Sequence, residues 1–246
     1  MTDPRSGRDT LFADPKASGT PFTFDGRVAD VFPDMISRSV PGYGLVIDQI
    51  GTLTQRFARA GTCLYDLGCS LGAATLALRH NVRVPGCRIV AIDNSSAMVA
   101  RCRRIMDRDP AATPVEVREA DVTTVEFEPA SLVVMNYTLQ FIDPDDRSPL
   151  LARIAAALEP GGALVLSEKI EDEDPGRDAL LGELHHDFKR AQGYSELEIS
   201  GKRASLENVL VRESWGAHRE RLLGVGFRSA AIWFRCYTFA SMIALK

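Results

Sequence analysis

The chain has 246 residues, 45% of them hydrophobic and 25% charged, with a formal net charge of -4. That suits one α/β domain with extra helices, and the acidic balance speaks against gripping nucleic acid through a broad basic face. The five cysteines (Cys63, Cys69, Cys87, Cys102 and Cys236) are an odd set without a C-x-x-C pair, which argues against a disulfide framework or a zinc site and for a reducing, cytoplasmic setting.

Residues 1–21 are rich in Asp, Arg, Gly, Pro and Ser and read as a flexible arm. No apolar stretch follows that suits a signal peptide or a membrane span. Val28, Val31, Phe32, Met35 and Ile36 recur at helical spacing, interrupted by Pro33. Pro41-Gly42-Tyr43 is a turn, and Leu45, Val46, Ile50, Leu53 and Phe57 mark a second helix. Cys63 to Leu67 is a short apolar strand that ends in a Gly-rich turn, with a helix through Thr75 to Leu78. Arg88 to Asp93 is the second strand, and Ser95 or Ser96 caps the helix carrying Met98 and Val99. Val115 to Glu119 and Ser131 to Asn136 are the third and fourth strands, the latter apolar enough for the centre of a parallel sheet. A helix over Leu150 to Leu158 is expected to stop at Pro160-Gly161-Gly162, before a fifth strand over Ala163 to Ser167.

Five strand–helix alternations predict a Rossmann-like α/β fold with a doubly wound sheet, in a single domain over 22–246. After Glu168 the alternation gives way to a charged helical insertion, about 177–210. A helix from Trp215 to Leu223 and strands near Ile232 to Phe234 and Phe239 to Leu245 close a mostly parallel, seven-stranded sheet.

The strongest local signal is Asp66-Leu67-Gly68-Cys69-Ser70-Leu71-Gly72 at a strand-to-helix turn. Glycine tolerates positive φ there, and it lets a ligand approach the free N–H groups of the helix start. The spacing is not the dinucleotide G-x-G-x-x-G fingerprint. It resembles the loop of S-adenosyl-L-methionine (SAM)-dependent methyltransferases, with Ser70 where the middle glycine usually stands. Alone, the loop serves equally well as a structural turn. Its context adds weight: Asp93 and Asn94 end the second strand, where a carboxylate can accept from both hydroxyls of a ribose. Asp121-Val122 follows the third strand and suits an adenine, through a side-chain acceptor and a backbone N–H. Asn136 ends the fourth, at the carboxyl edge where open α/β sheets bind ligands.

Other pairs read more plainly. His185 and His186 point to different faces of a helix and are poor joint ligands, so no metal is expected. Cys69 fits small buried packing, and Glu168-Lys169 reads as a salt-bridged pair.

A closer resemblance runs through Phe24-Asp25-Gly26-Arg27-Val28-Ala29-Asp30-Val31-Phe32-Pro33-Asp34-Met35, Arg38-Ser39-Val40-Pro41-Gly42-Tyr43, the loop from Tyr65 to Thr75, and Ala91 to Ser95. It continues in His185-His186-Asp187-Phe188-Lys189-Arg190-Ala191, Gly193 to Ser200, Lys202-Arg203 and Leu206 to Val209. These segments resemble the bacterial carboxy-S-adenosyl-L-methionine synthases from about Phe22 to the C-terminus. The inserted segment is the specific part, since ordinary methyltransferases lack it.

The resemblance implies that SAM and prephenate give carboxy-SAM and phenylpyruvate, through a sulfonium ylide that captures carbon dioxide released from prephenate. It implies that Tyr43, Gly68, Ser70, Asp93, Asn94, Asp121, Val122 and Asn136 line the SAM site. Arg203 would then read the new carboxylate, since a guanidinium fork pairs bidentately with one. It further implies a homodimer and a product used by a tRNA uridine carboxymethyltransferase that modifies the wobble position, with no nucleic acid bound directly and no membrane. On residues alone Arg203 also reads as a surface charge beside Lys202, and Tyr43 as a packing tyrosine. A conventional SAM-dependent methyltransferase and a non-catalytic SAM-binding partner protein remain alternatives.

Overall fold

The structure is a computed structural model that describes residues 7–13, 22–206 and 209–246. Two helices, α1 (Gly26–Ser39) and α2 (Tyr43–Phe57), precede the alternating unit. That unit runs β1 (Cys63–Leu67), α3 (Ala73–Asn81), β2 (Arg88–Asp93), α4 (Ser96–Arg108), β3 (Val115–Glu119), β4 (Ala130–Asn136), α5 (Pro144–Ala157) and β5 (Leu158–Lys169). A single 3-10 turn, Leu139–Phe141, follows β4. Helices α6 (Pro175–Ala191) and α7 (Glu196–Leu206) form the insertion, before α8 (Trp215–Gly224), β6 (Ser229–Cys236) and β7 (Phe239–Leu245).

The strands form one seven-stranded sheet in the order β3-β2-β1-β4-β5-β7-β6, with β7 antiparallel to both of its neighbours. Strand β1 is buried throughout and β4 up to its last residue, because helices cover both faces of the sheet. One face packs Tyr65, Val133 and Leu164 against Leu150, Ile154 and Leu222 of α5 and α8. The other packs Leu64, Leu132 and Val165 against Val46, Ile50 and Leu78 of α2 and α3. The strand order reverses between β1 and β4, so the crevice at their carboxyl ends is where this architecture opens a binding site.

Three local expectations change. Helix α1 runs through Pro33, capped by the Asp25 carboxylate, which accepts from the N–H groups of Arg27 and Val28. Its buried Val28, Ala29 and Met35 hold it to the core across the missing hydrogen bond. Pro160-Gly161-Gly162 does not separate helix from strand. Helix α5 ends at Ala157 and the three residues lie in β5, where Gly161 N–H donates to Lys246 and Gly162 accepts from it.

Part of the expected flexible arm is tied down. Asp9 is 1% exposed, accepts from Tyr194 Oη at 2.5 Å, and lies 3.8 Å from Lys202 Nζ. Arg38 donates to its carbonyl. A buried ammonium needs a counter-charge, and Asp9 supplies it. The rest of that arm, 1–6 and 14–21, lies outside the described residues, as do 207–208 of the insertion.

Candidate active site

The loop after β1 turns on Gly68, which has a φ of +78°. A Cβ there would stand 2.0 Å from Thr138 Oγ1, the hydroxyl that donates to the Leu67 carbonyl. Only hydrogen fits between the two strand ends. Ser70 takes a φ of +49°, the left-handed region that glycine enters most readily. Its N–H donates to Asp93 Oδ2 at 2.8 Å, while Asp93 Oδ1 accepts from Ser95 N–H at 2.9 Å. Asp93 therefore pins the loop to the end of β2, and each carboxylate oxygen keeps a further lone pair for a ligand hydroxyl. Burial raises its pKa.

Asp66 lies beneath the loop, 1% exposed. Thr75 Oγ1 donates to its Oδ2 at 2.6 Å, and its Oδ1 has no partner among the described residues. Desolvation pushes this carboxyl up to about 7. After β3, Asp121 lines the cavity, and its Oδ1 accepts from Thr123 N–H and Oγ1. Val122 is buried. After β4, Asn136 Oδ1 and Tyr137 Oη are both buried without hydrogen-bond partners among the described residues, and Tyr137 adopts a φ of +60°. Its ring lies 6.3 Å from that of Tyr43. Orphaned polar atoms and a left-handed tyrosine at one strand end mark a surface shaped for a ligand.

Tyr43, Gly68, Ser70, Asp93, Asn94, Asp121, Val122 and Asn136 all line one cavity of about 370 Å³, within the usual range for small-molecule sites. Arg203 does not. It is exposed on α7 and lines an adjoining depression, which shares Lys169, His185, Lys189, Leu206 and Leu210 with the cavity.

Glu168 and Lys169 are not an ion pair. Glu168 is fully buried, and its two oxygens accept from Leu139 and Gln140 N–H at 2.9 Å each. Gln140 Oε1 accepts in turn from Lys169 N–H. Glu168 thus caps the 3-10 turn and fixes the loop that carries Asn136 and Tyr137. Burial outweighs the two N–H bonds and pushes its carboxyl up to about 8. The protonated form therefore contributes stability that is present below the unfolded pKa and is lost as pH rises through 8. Relative to Glu168→Gln, the wild type is expected to lose about 1.4 kcal/mol per pH unit between pH 5 and pH 8. Urea unfolding at three pH values checks this; a constant difference would mean a carboxylate ionised throughout.

Cys69 is a packing residue. The Cys102 thiol and burial both push its pKa up, so no thiolate forms at neutral pH. His185 Nε2 donates to the Ser39 carbonyl at 2.8 Å, and burial holds its pKa down to about 3. Among the described residues no three His, Cys, Asp or Glu side chains converge on a metal-sized site. No helix of the described residues is long and apolar enough to cross a membrane.

Sequence reasoning missed Tyr137, Lys169, His185, Lys189 and Lys202, all of which line the cavity. His185 and Lys189 stand one turn apart on α6 and share its inner face, a helical spacing that could have been read.

The sheet order and the crevice at the β1–β4 reversal define the class I SAM-dependent methyltransferase fold. The same fold appears in human N-acetylserotonin methyltransferase in complex with SAM (TM-score 0.62, 17% identity, 96% of this chain and 57% of that one). It appears too in magnesium protoporphyrin IX methyltransferase from Synechocystis PCC 6803 with bound SAM (TM-score 0.56, 13% identity, 83% and 80%). A family described as "Methyltransferase domain" matches residues 64–162. Much closer are the carboxy-S-adenosyl-L-methionine synthase of Enterobacter sp. (strain 638), 58% identical over 100% of this chain and 98% of that protein, and that of Escherichia coli (strain K12 / DH10B), 56% identical over 98% of each. The chain belongs to the carboxy-S-adenosyl-L-methionine synthase family.

Proposed function

We propose that this chain converts SAM and prephenate to carboxy-SAM and phenylpyruvate. The observation that carries the reading is a cavity with two chemically distinct parts. One part is a nucleoside cradle built from Asp93, Asn94, Asp121, Val122 and Asn136; the other holds the cations Lys169 and Lys189, with Arg203 on the adjoining depression. A methyl acceptor site has no general need of carboxylate-reading cations, whereas a carboxylating enzyme has two carboxylates to hold.

The chemistry balances without a protein base. Prephenate loses its ring carboxylate as carbon dioxide and its ring hydroxyl as hydroxide, and the ring becomes aromatic. Hydroxide takes a proton from the SAM methyl group to form water. The ylide carbon attacks carbon dioxide, and the new C–C bond completes carboxy-SAM. The protein's task is to hold the partners together and exclude bulk water. Arg203 pairs with the new carboxylate and selects the product over SAM.

The protein acts in the cytoplasm as a homodimer, and its product supplies a tRNA uridine carboxymethyltransferase acting on the wobble uridine. Leu180 and Leu184 of α6 and Leu197 of α7, exposed by 54%, 36% and 39%, support a partner on the insertion.

Mass spectrometry of the nucleoside released from purified, denatured protein tests this. A species heavier than SAM by one carbon dioxide is expected. In Arg203→Ala the preference for that species over SAM should fall by about 10–100-fold, the value of one charged hydrogen bond. Only SAM or S-adenosylhomocysteine, with no carboxylated product after adding SAM and prephenate, would sink the synthase reading and turn the search to a methyl acceptor.

A further inference from the structure

Three lysines line the cavity, and they are not alike. Lys202 has an ammonium bonded to Ser39 Oγ at 2.9 Å and a counter-charge in Asp9. Lys189 of α6 is 8% exposed and has no ion-pair partner among the described residues; burial alone holds its pKa down to about 8. Lys169, at the end of β5, is held down to about 8 by burial and then by the charges of Lys189 and Arg212. Its Nζ lies 6.0 Å from the centre of the Phe239 ring, against which the His185 ring packs at 4.8 Å. The acid whose charge acts on Lys169 is Asp178, and Arg212 already clasps both of its oxygens at 3.0 Å; Glu183 lines the adjoining depression. Arg203 and His186 add no negative charge.

Two ammonium groups of like sign, largely desolvated and unpaired, cost several kcal/mol. Both side chains line the cavity and the depression beside it, where a bound anion would supply the missing counter-charge. We propose that Lys169 and Lys189 form the subsite for the second substrate's 2-oxo carboxylate, the carboxylate that remains in the product. The inference rests on the prephenate reading and adds an orientation to it. A carboxylate held between two cations is stabilised against losing carbon dioxide, so the pair suits the group that is kept. The departing ring carboxylate is then left to a part of the cavity without a paired cation, where its ground state gains no such stabilisation.

Lys169→Met and Lys189→Met test this with phenylpyruvate as the binding probe in calorimetry and prephenate in steady-state kinetics. Each substitution should raise the phenylpyruvate Kd and the prephenate KM by about 10–100-fold, while the SAM Kd stays within about twofold. Lys189→Arg should retain most of the affinity. Removing an unpaired buried charge should not lower the Tm, so lost binding is not lost folding. In the wild type, phenylpyruvate affinity should fall as pH rises through about 8, where both ammonium groups begin to lose their protons, and should flatten in the double variant. Unchanged phenylpyruvate binding in both single variants would overturn the proposal. A parallel loss of SAM affinity would overturn it too, by assigning the lysines to the SAM carboxylate. If the wild type makes no carboxylated nucleoside, the prephenate reading fails, and the phenylpyruvate titrations still judge the lysine pair by themselves.

Discussion

Gly68→Ala is expected to abolish measurable SAM binding and to destabilise the fold by about 2–3 kcal/mol. Two independent costs add. The residue sits at a φ of +78°, where a side chain adds roughly 1–2 kcal/mol. Its Cβ would meet Thr138 at 2.0 Å from Oγ1, 2.6 Å from Cγ2 and 2.8 Å from Cβ, so no rotation of Thr138 removes the overlap. Relief requires moving the β4 exit and breaking the Thr138 bond to the Leu67 carbonyl, a further ~1 kcal/mol. That shift carries Asn136 and Tyr137 with it, which is why binding should suffer beyond stability alone. Calorimetric titration with SAM and urea unfolding read the two effects separately. Gly68→Ala combined with Thr138→Gly should recover the steric part and leave the backbone strain. A single Gly68→Ala protein that binds SAM within about tenfold of wild type, a loss of under ~1.4 kcal/mol, would show that the loop accommodates a side chain.

The strand ends were legible because their signals are local. An apolar run closed by Asp66, Asp93 or Asn136 has one natural reading in a parallel sheet, and the glycine loop between them fixes which edge binds. The features that escaped are set by distant partners. Pro160-Gly161-Gly162 looks like a stop until Lys246 at the C-terminus pairs with it. Asp9 looks like part of a solvated arm until Lys202, nearly two hundred positions away, proves to need a counter-charge. Lys189 sits in a helix rich in charge, where its one-turn spacing from His185 is the sole local hint that separates a buried ammonium from a solvated one. Glu168 beside Lys169 invites an ion pair by adjacency. In a strand, however, successive side chains point to opposite faces, and this carboxylate turned to two backbone N–H groups instead. The family resemblance supplied Arg203, which residue chemistry alone left as a surface charge.

Arg147 had no signal in the sequence at all, and it carries the second large effect. It is fully buried in α5. Its Nε donates to the Ile142 carbonyl at 3.0 Å, Nη2 to the Val211 and Gln140 carbonyls at 3.1 and 3.4 Å, and Nη1 to Glu213 at 2.5 Å. One guanidinium thereby ties the turn after β4 to the segment that follows the insertion. Arg147→Met is expected to cost about 3–5 kcal/mol, because three carbonyls lose a charged donor where little water can replace it, at about 1–3 kcal/mol for each group left unpaired. Methionine comes close to filling the volume, so the loss reads the hydrogen bonds and not a large cavity. Glu213 keeps Arg221, so its charge is not stranded and the figure belongs mainly to the three carbonyls. Arg147→Lys should restore little of it, because one ammonium cannot present a planar fork to acceptors on separate segments. Urea unfolding with an unchanged m-value checks both substitutions; a loss below about 1 kcal/mol would mean that the carbonyls find other donors. The site should feel the change as well. Gln140 lines the cavity, accepts through its side chain from Lys169 N–H and through its carbonyl from both Arg147 and Val211. Loosening that residue disturbs the backbone of Lys169, so Arg147→Met should raise the KM for the carboxylate substrate more than it weakens SAM.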